Sequence, residues 1–363
     1  MIKYIGSKRL IIPWIQAVAE SIGCVRSVLD AFSGTARVGH ALKRAGYRVV
    51  SNDHNRYASV LARCLVAADG RRVREPAAAL VDELNRLPGR AGYVTETFCV
   101  QSRYFQPHNG ERIDAIRSRI EELALEADLE AVLLTSLMLA ADRVDSTTGV
   151  QMAYLKQWAR RSYGQLELRV PPVLDDGPAG ACVALELDAL DAVRAEEVDL
   201  AYLDPPYNQH KYIGNYHVWE TIARWDHPET YGIARKRVDC RQRRSPFNSK
   251  LAFDSAFREL LAAVRARHVL VSFSNEGFCT RARMEELLGG YGEVGVMEID
   301  YPRYVGARIG IHDNHGRRVG RVGRLRNREL LYLVGPGSAD IMRAAAERAQ
   351  AQTHLGAPLL VEE

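Results

Sequence analysis

The chain has 363 residues, 47% of them hydrophobic and 26% charged, with 28 Gly and 14 Pro. That composition supplies ample core for two units or one elaborated domain, and it excludes a chain dominated by disorder. The formal net charge is only +4, from seven Lys and 42 Arg against 45 acids, so overall charge names no partner.

Residues 1–10, MIKYIGSKRL, lack the apolar stretch and small-residue cleavage site of a signal peptide. The longest uncharged apolar run, residues 131–141, is too short to span a bilayer. Six scattered Cys form no CxxC and no Cys/His ligand spacing, so the expectation is a reduced, cytoplasmic chain without a metal.

Residues 9–22 read as an amphipathic helix with Pro13 near its first turn. An apolar run over 27–30 ends in Asp30, the turn FSGTA follows, and residues 37–45 read as a helix closed by Gly46. A second apolar run over 47–51 leads into Asn52-Asp53. Strand, turn, helix and strand make a βαβ unit, which predicts a parallel α/β sheet. Residues 64–180 break the pattern. Helical spacing covers 111–126, residues 128–144 are apolar enough for a buried helix, and a turn-rich stretch over 169–180 closes the insertion. Strand patterns return at 182–187, 198–203, 268–274, 292–301 and 329–334, and residues 338–351 read as a last helix.

The strongest chemical signal is Asp204-Pro205-Pro206-Tyr207, directly after the apolar run 198–203. A buried strand ending this way sets a rigid acceptor at the carboxyl edge of a sheet, where ligands of open α/β sheets bind. Prolines fix φ and remove N–H donors, so nearby carbonyls stay free to accept. An exocyclic base amine requires such acceptors, because its lone pair is delocalised into the ring. Asp204 and the Pro205 carbonyl can accept its two hydrogens while Tyr207 stacks on the ring.

The turn after Asp30 is a second signal. Gly34 permits a tight bend into a helix N-terminus, which suits the polar end of a nucleotide-like ligand. No Gly-Lys-Ser/Thr follows, which excludes a P-loop, and Ala36 stands where a GxGxxG motif would have glycine. An ordinary βα turn fits this stretch equally well. Asp53, at the end of the next strand, can bond ribose hydroxyls, and Asp188 before the Asp204 strand can meet an adenine amine.

Four stretches in this order, KYIGSKRLIIPWI, LDAFSGTA, SNDHN and LDPPYN, resemble the Dam-like class of DNA adenine-N6 methyltransferases. Similarity to one branch extends to YFQPHNGERIDAIR, VDSTTGVQMAYLKQW, NYHVWETIARWD and the RYVGARIG and LRNREL stretches, from residue 1 to about 334. The resemblance implies a Rossmann-like mixed sheet flanked by helices, formed by 1–63 and 181–363, with 64–180 as an inserted, mainly helical DNA-recognition region. It implies S-adenosylmethionine as methyl donor, S-adenosylhomocysteine as product, and no metal. Tyr4 and Lys8 would meet the methionine end of the donor. Asp30, Phe32, Gly34, Asp53, Asp188 and Asp204 complete the expected cofactor set, and Asp204, Pro205, Pro206 and Tyr207 the catalytic set.

Double-stranded DNA is the implied partner. Seven basic residues against one acid crowd the segment 235–250, giving Arg235, Lys236, Arg237, Arg241, Arg243, Arg244 and Lys250 as phosphate candidates. Arg308 joins them from a second segment, 303–328, which holds eight Arg. Methylation at N6 requires the adenine to be flipped out of the duplex. A restriction endonuclease in the same cell is the further partner, without a stable complex. Cytosine-N4 methylation is the close alternative, and an RNA base methyltransferase or a non-catalytic DNA-binding relative are weaker ones. Cytosine-C5 methylation needs a nucleophilic Cys, typically after proline, and no Pro-Cys pair occurs.

Overall fold

The computed structural model describes residues 2–209, 211–302, 311–312, 318–320 and 326–354. After a short turn at Lys8–Leu10 come α1 (Ile12–Ile22), β1 (Ser27–Asp30), α2 (Arg37–Arg44), β2 (Arg48–Asn52) and α3 (Arg56–Ala62). The insertion carries α4 (Gly70–Asn85), α5 (Pro107–Glu122) and α6 (Ala127–Val144), with wider helical turns at Arg63–Ala67 and Thr95–Val100. Then follow β3 (Val183–Leu185), α7 (Ala189–Ala195), β4 (Glu197–Leu203), α8 (Tyr212–Asn215) and α9 (His217–Arg224). A two-stranded ribbon, β5 (Thr230–Tyr231) and β6 (Lys236–Arg237), precedes α10 (Asp239–Gln242), α11 (Phe253–Ala263), β7 (Arg265–Ser274), α12 (Arg281–Gly289) and β8 (Val294–Pro302). A second ribbon, β9 (Ile311–His312) and β10 (Arg318–Gly320), leads to β11 (Arg326–Val334) and α13 (Ser338–His354).

Seven strands form one sheet in the order β3-β2-β1-β4-β7-β11-β8. From β3 to β7 every pairing is parallel, as the βαβ pattern predicts. The sheet is nevertheless mixed, because β11 runs antiparallel between β7 and β8. Side chains of successive residues point to opposite faces, and both faces are covered. Leu200 and Tyr202 of β4 pack into the core beneath α1, α2 and α13, whereas Ala201 and Leu203 pack into the core beneath α7, α11 and α12. A strand buried on both sides reads as a continuous apolar run, which is why these strands stand out in the sequence.

The insertion does not build a separate core. Leu133, Leu137 and Met138 of α6 share one apolar cluster with Tyr57 of α3 and Trp219 of α9. Helix α6 falls where the apolar run predicts it. Helix α5 starts and ends four residues earlier than its spacing suggests: Pro107 presets its first turn, and Ala124 lies in the left-handed region at φ 45° just beyond its end. Among the described residues no helix is long and apolar enough to cross a membrane.

Candidate active site

Parallel strands deliver their carboxyl ends to one edge, and here those ends carry acids. Asp30 closes β1, between Ser51 of β2 and Tyr202 of β4 in the ladders. Asp53 follows β2, Asp188 caps α7 after β3, and Asp204 follows β4. The edge is tied together by Asn52. Its amide donates to the carbonyls of Ala31 at 3.1 Å and Leu187 at 3.2 Å, and its oxygen accepts from Leu187 N–H at 3.0 Å. The sequence marks Asn52 only as a member of the SNDHN stretch and gives it no role.

A cleft of about 300 Å³ opens along this edge. Asp30, Phe32, Gly34, Asp53 and Asp188 line it, as do Tyr4 and Lys8 from the N-terminal segment. Asp204 and Pro206 line the same cleft, together with Arg243 and Arg244 of the basic segment. Pro205 is buried beside them. The cofactor candidates and the acid of the DPPY tetrapeptide thus share one opening.

The turn from β1 to α2 approaches the cleft closely. Gly34, at φ +53°, donates its N–H to Asp53 Oδ2 at 3.0 Å, and a Cβ there would meet the Tyr4 ring at 3.2 Å. Asp53 Oδ1 accepts from Asn55 N–H at 2.9 Å and its side-chain amide at 3.0 Å. Burial raises the Asp53 pKa, opposed by His54 and by the Asn55 and Gly34 amides. Tyr4 is held in an aromatic stack, 4.6 Å from Tyr216 and 5.3 Å from Tyr212. Phe32 meets Phe247 edge-on at 5.3 Å, closing the cleft wall from the far end of the basic segment.

Several buried polar groups lining the cleft lack a side-chain partner among the described residues. Ser33 Oγ and Arg37 Nε are buried without a hydrogen-bond partner among those residues, and the buried Asp30 carboxylate is met by no side-chain donor, only by the backbone amides of Phe32 and Gly39. Burial, reinforced by Asp204 and Asp53, pushes the Asp30 carboxyl up to about 8. Burial and the nearby Arg9 lower the Arg37 pKa, with Asp142 opposing. Buried polar groups are nearly always satisfied, so this cluster fits a ligand bearing both a cation and an anion.

At Asp204 the charges are shared differently. Lys8 Nζ lies 2.9 Å from Asp204 Oδ1 and 2.6 Å from Glu329 Oε1, and Glu329 also accepts from Ser272 Oγ at 2.5 Å. Burial opposes the Lys8 charge, but the two acids outweigh it and keep the ammonium protonated. Burial pushes the Asp204 carboxyl up to about 6, with Lys8 pulling down and Glu329 pushing up. Glu329 and Ser272 were not among the candidate site residues; Glu329 is marked only as the acid that opens ELLYLV and as a member of the LRNREL stretch. Tyr207 closes the tetrapeptide with its ring edge against Phe273 at 6.1 Å, and its carbonyl accepts from Phe278 N–H at 3.2 Å.

The basic segment is more heavily engaged than its charge suggests. Arg237 is 3% exposed, and its guanidinium bonds both Asp226 (2.6 Å) and Asp239 (3.0 Å). It braces the ribbon from inside and leaves no free face for phosphate. Arg243 pairs with Glu220 at 2.9 Å and donates to the His54 carbonyl at 2.7 Å. Arg241 stacks on Tyr231 at 3.8 Å. Arg235 and Lys236 are half-buried on the ribbon, whereas Arg244 and Lys250 are exposed. Arg308 lies outside the described residues.

A parallel-edged, Rossmann-like sheet with acids at four strand ends above one cleft defines the methyltransferase type of α/β protein. The profile of the D12 class N6 adenine-specific DNA methyltransferases matches residues 4–272, and the chain belongs to that family. Modification methylase StsI of Streptococcus sanguinis is 30% identical over 323 residues, covering 83% of this chain and 48% of the relative. Type II methyltransferase M.NlaIII of Neisseria lactamica is 29% identical over 313 residues, covering 83% and 92%. Type II methyltransferase M.FokI of Planomicrobium okeanokoites is 31% identical over 309 residues, covering 80% and 47%. The chain therefore spans about half the length of StsI and M.FokI and nearly all of M.NlaIII.

Proposed function

We propose that this chain methylates N6 of a target adenine in duplex DNA, with S-adenosylmethionine as donor, at the cleft shared by the β1–α2 turn and Asp204. When bound, the donor supplies an electrophilic sulfonium methyl. Asp30 receives its ammonium, while Arg37 and Ser33 receive its carboxylate, which answers the unpartnered polar groups found there. Asp53 accepts from the ribose hydroxyls, Asp188 from the adenine amine, and the Phe32–Phe247 pair gives an apolar wall. Tyr4 backs the Gly34 turn beneath the methionine end.

The target base has to leave the duplex to reach this edge, at a cost of a few kcal/mol. Asp204 and the Pro205 carbonyl then accept from the two N6 hydrogens, and Tyr207 stacks on the ring. Localising the lone pair and holding it in line with the methyl supplies the rate through orientation and electrostatics. The observation that carries this reading is the common lining: Asp204 opens into the cleft that the Asp30–Gly34 turn also faces. Family membership favours adenine over cytosine-N4.

Residues 64–180 are the target-recognition region in this reading, and Arg235, Lys236, Arg241, Arg244 and Lys250 the phosphate contacts nearest the cleft. Arg243 orders the cleft wall and Arg237 the ribbon. A restriction endonuclease of the same specificity and a cytoplasmic location belong to the same proposal.

The test is methyl transfer from labelled S-adenosylmethionine to plasmid DNA, followed by identification of the modified base. N6-methyladenine is expected; N4-methylcytosine would replace the substrate assignment, and absence of label would refute the enzymatic one. Asp204→Ala should cut transfer roughly a hundredfold or more while S-adenosylhomocysteine binding survives.

A further inference from the structure

Glu329 is an acid at the head of the apolar half of β11, 2% exposed and opposite Ser274 in the β7–β11 ladder. Taking a carboxylate out of water costs several kcal/mol unless it is paired, and sheet packing needs no charge there. Its pairing runs toward the active site. Ser272 Oγ donates to it at 2.5 Å, and Lys8 Nζ sits at 2.6 Å, nearer than the 2.9 Å that separates Lys8 from Asp204.

We propose that Glu329 is a positioning residue for methyl transfer: with Ser272 it anchors Lys8, so that the ammonium steadies one oxygen of Asp204 and leaves the other to accept from the target amine. The proposal rests on Asp204 as the acceptor and adds what keeps that acceptor strong. A carboxylate in a full ion pair with its own ammonium is a weakened acceptor, because its charge is already neutralised. Two carboxylates sharing one ammonium keep a net negative charge, and the anchor fixes where the ammonium stands.

The groups that act on Asp204 are Lys8 from the N-terminal turn, Glu329 of β11, Asp30 of β1, Tyr202 of β4, and Tyr207 and Tyr212 beyond β4. Of these, Lys8 favours the ionised carboxylate, and Glu329, a like charge, opposes it. Activity that needs ionised Asp204 rises with pH through its titration, so the acid limb of the rate profile reports this balance.

The test is the pH dependence of single-turnover methyl transfer by the full chain, with S-adenosylhomocysteine affinity measured alongside. Glu329→Gln keeps size and removes the charge. It should lower the plateau rate about tenfold, leave S-adenosylhomocysteine affinity within about twofold, and move the acid limb roughly half a unit or more toward lower pH. Glu329→Asp keeps the charge but withdraws it from Lys8, and should slow transfer with a limb near the wild-type position. Ser272→Ala should slow it by a few-fold, and these two variants carry the test if Glu329→Gln does not fold. An unchanged rate and limb in Glu329→Gln would overturn the proposal. So would a slower rate matched by lost cofactor binding with an unmoved limb, since that marks a packing role. Asp204→Asn separates the two levels: its limb should vanish, and a limb that persists refutes Asp204 as the acceptor and Glu329 with it.

Discussion

The cleft and the basic segment treat charge in opposite ways. Along the sheet edge, among the described residues, Ser33 and Arg37 keep polar atoms buried without partners and Asp30 keeps a carboxylate met only by backbone amides, which is unfavourable for the free protein and would be relieved by a ligand. In the basic segment, Arg237 has two aspartates, Arg243 has a glutamate and a carbonyl, and Arg241 has an aromatic face. Charge count would make the second region the binding surface and the first an ordinary acidic edge. Partner count shifts the emphasis: buried groups lacking side-chain partners gather along the cleft, whereas most arginines of the basic segment are already used, with Arg235 Nε buried and unpartnered as the exception.

The contrast is tested most strongly at Asp30 and Arg37. Asp30→Asn should weaken S-adenosylhomocysteine binding by roughly 10- to 100-fold, the worth of a charge-assisted hydrogen bond. It should also stabilise the free protein. The Asp30 pKa is raised to about 8, so the folded state holds a proton that the unfolded chain releases near about 4. Stability therefore falls as pH rises from about 4 to about 8. The substitution removes that penalty, and melting temperature at pH 8 should rise by several degrees, at about 2 °C per kcal/mol. Arg37→Met should cost about tenfold for S-adenosylhomocysteine and leave 5′-methylthioadenosine, which lacks the carboxylate, unaffected. Equal losses for both ligands would show that Arg37 does not meet the carboxylate.

Arginines within the basic segment should divide in the same way. Arg237→Ala breaks two ion pairs at a buried guanidinium whose aspartates are part-exposed, so a loss on the order of 2 kcal/mol in stability is expected. Its effect on DNA should follow from unfolding alone, read by comparing denaturant midpoints with filter-binding at matched folded protein. Arg244→Ala should leave the midpoint unchanged while DNA affinity falls and the slope of log affinity against log salt loses about one. A salt slope reduced in the first variant and intact in the second would invert the assignment.

Much of this was legible in the sequence for a physical reason. Strands β1, β2 and β4 are buried on both faces, so each reads as an apolar run, and an acid that lines the cleft ends or directly follows each. Asp30, Asp53 and Asp204 therefore carry a local mark, whereas Tyr4 and Lys8 follow from the family resemblance alone. Glu329 carries almost none, because its meaning comes from Lys8, 321 positions away in the chain. The antiparallel placement of β11 that brings it there has no signature in a run of apolar residues. Asp239 two positions on and Asp226 eleven back hold Arg237, but in a stretch so rich in basic residues no local pattern separates an arginine held inside from one that faces outward.

Ala36 gives the smallest and cleanest test of how far local strain serves the cleft. It is fully buried at the start of α2, with φ 58° and ψ 19°, a left-handed conformation at a place where the sequence departs from glycine. An L-residue with a Cβ is roughly 1–2 kcal/mol less favourable there than in the right-handed region, and glycine escapes most of that. Glycine also gains freedom in the unfolded chain, which returns about 0.4–1 kcal/mol. Loss of the buried methyl costs about a further 0.8 kcal/mol, so Ala36→Gly should change stability by no more than about 1 kcal/mol in either direction, measured from the denaturant midpoint. S-adenosylhomocysteine affinity should stay within about twofold, because the Gly34 N–H to Asp53 bond that sets the turn is untouched. A large fall in affinity would instead mean that the alanine methyl, packed in the core under the turn, holds the Asp30–Gly34 segment in its ligand-ready shape.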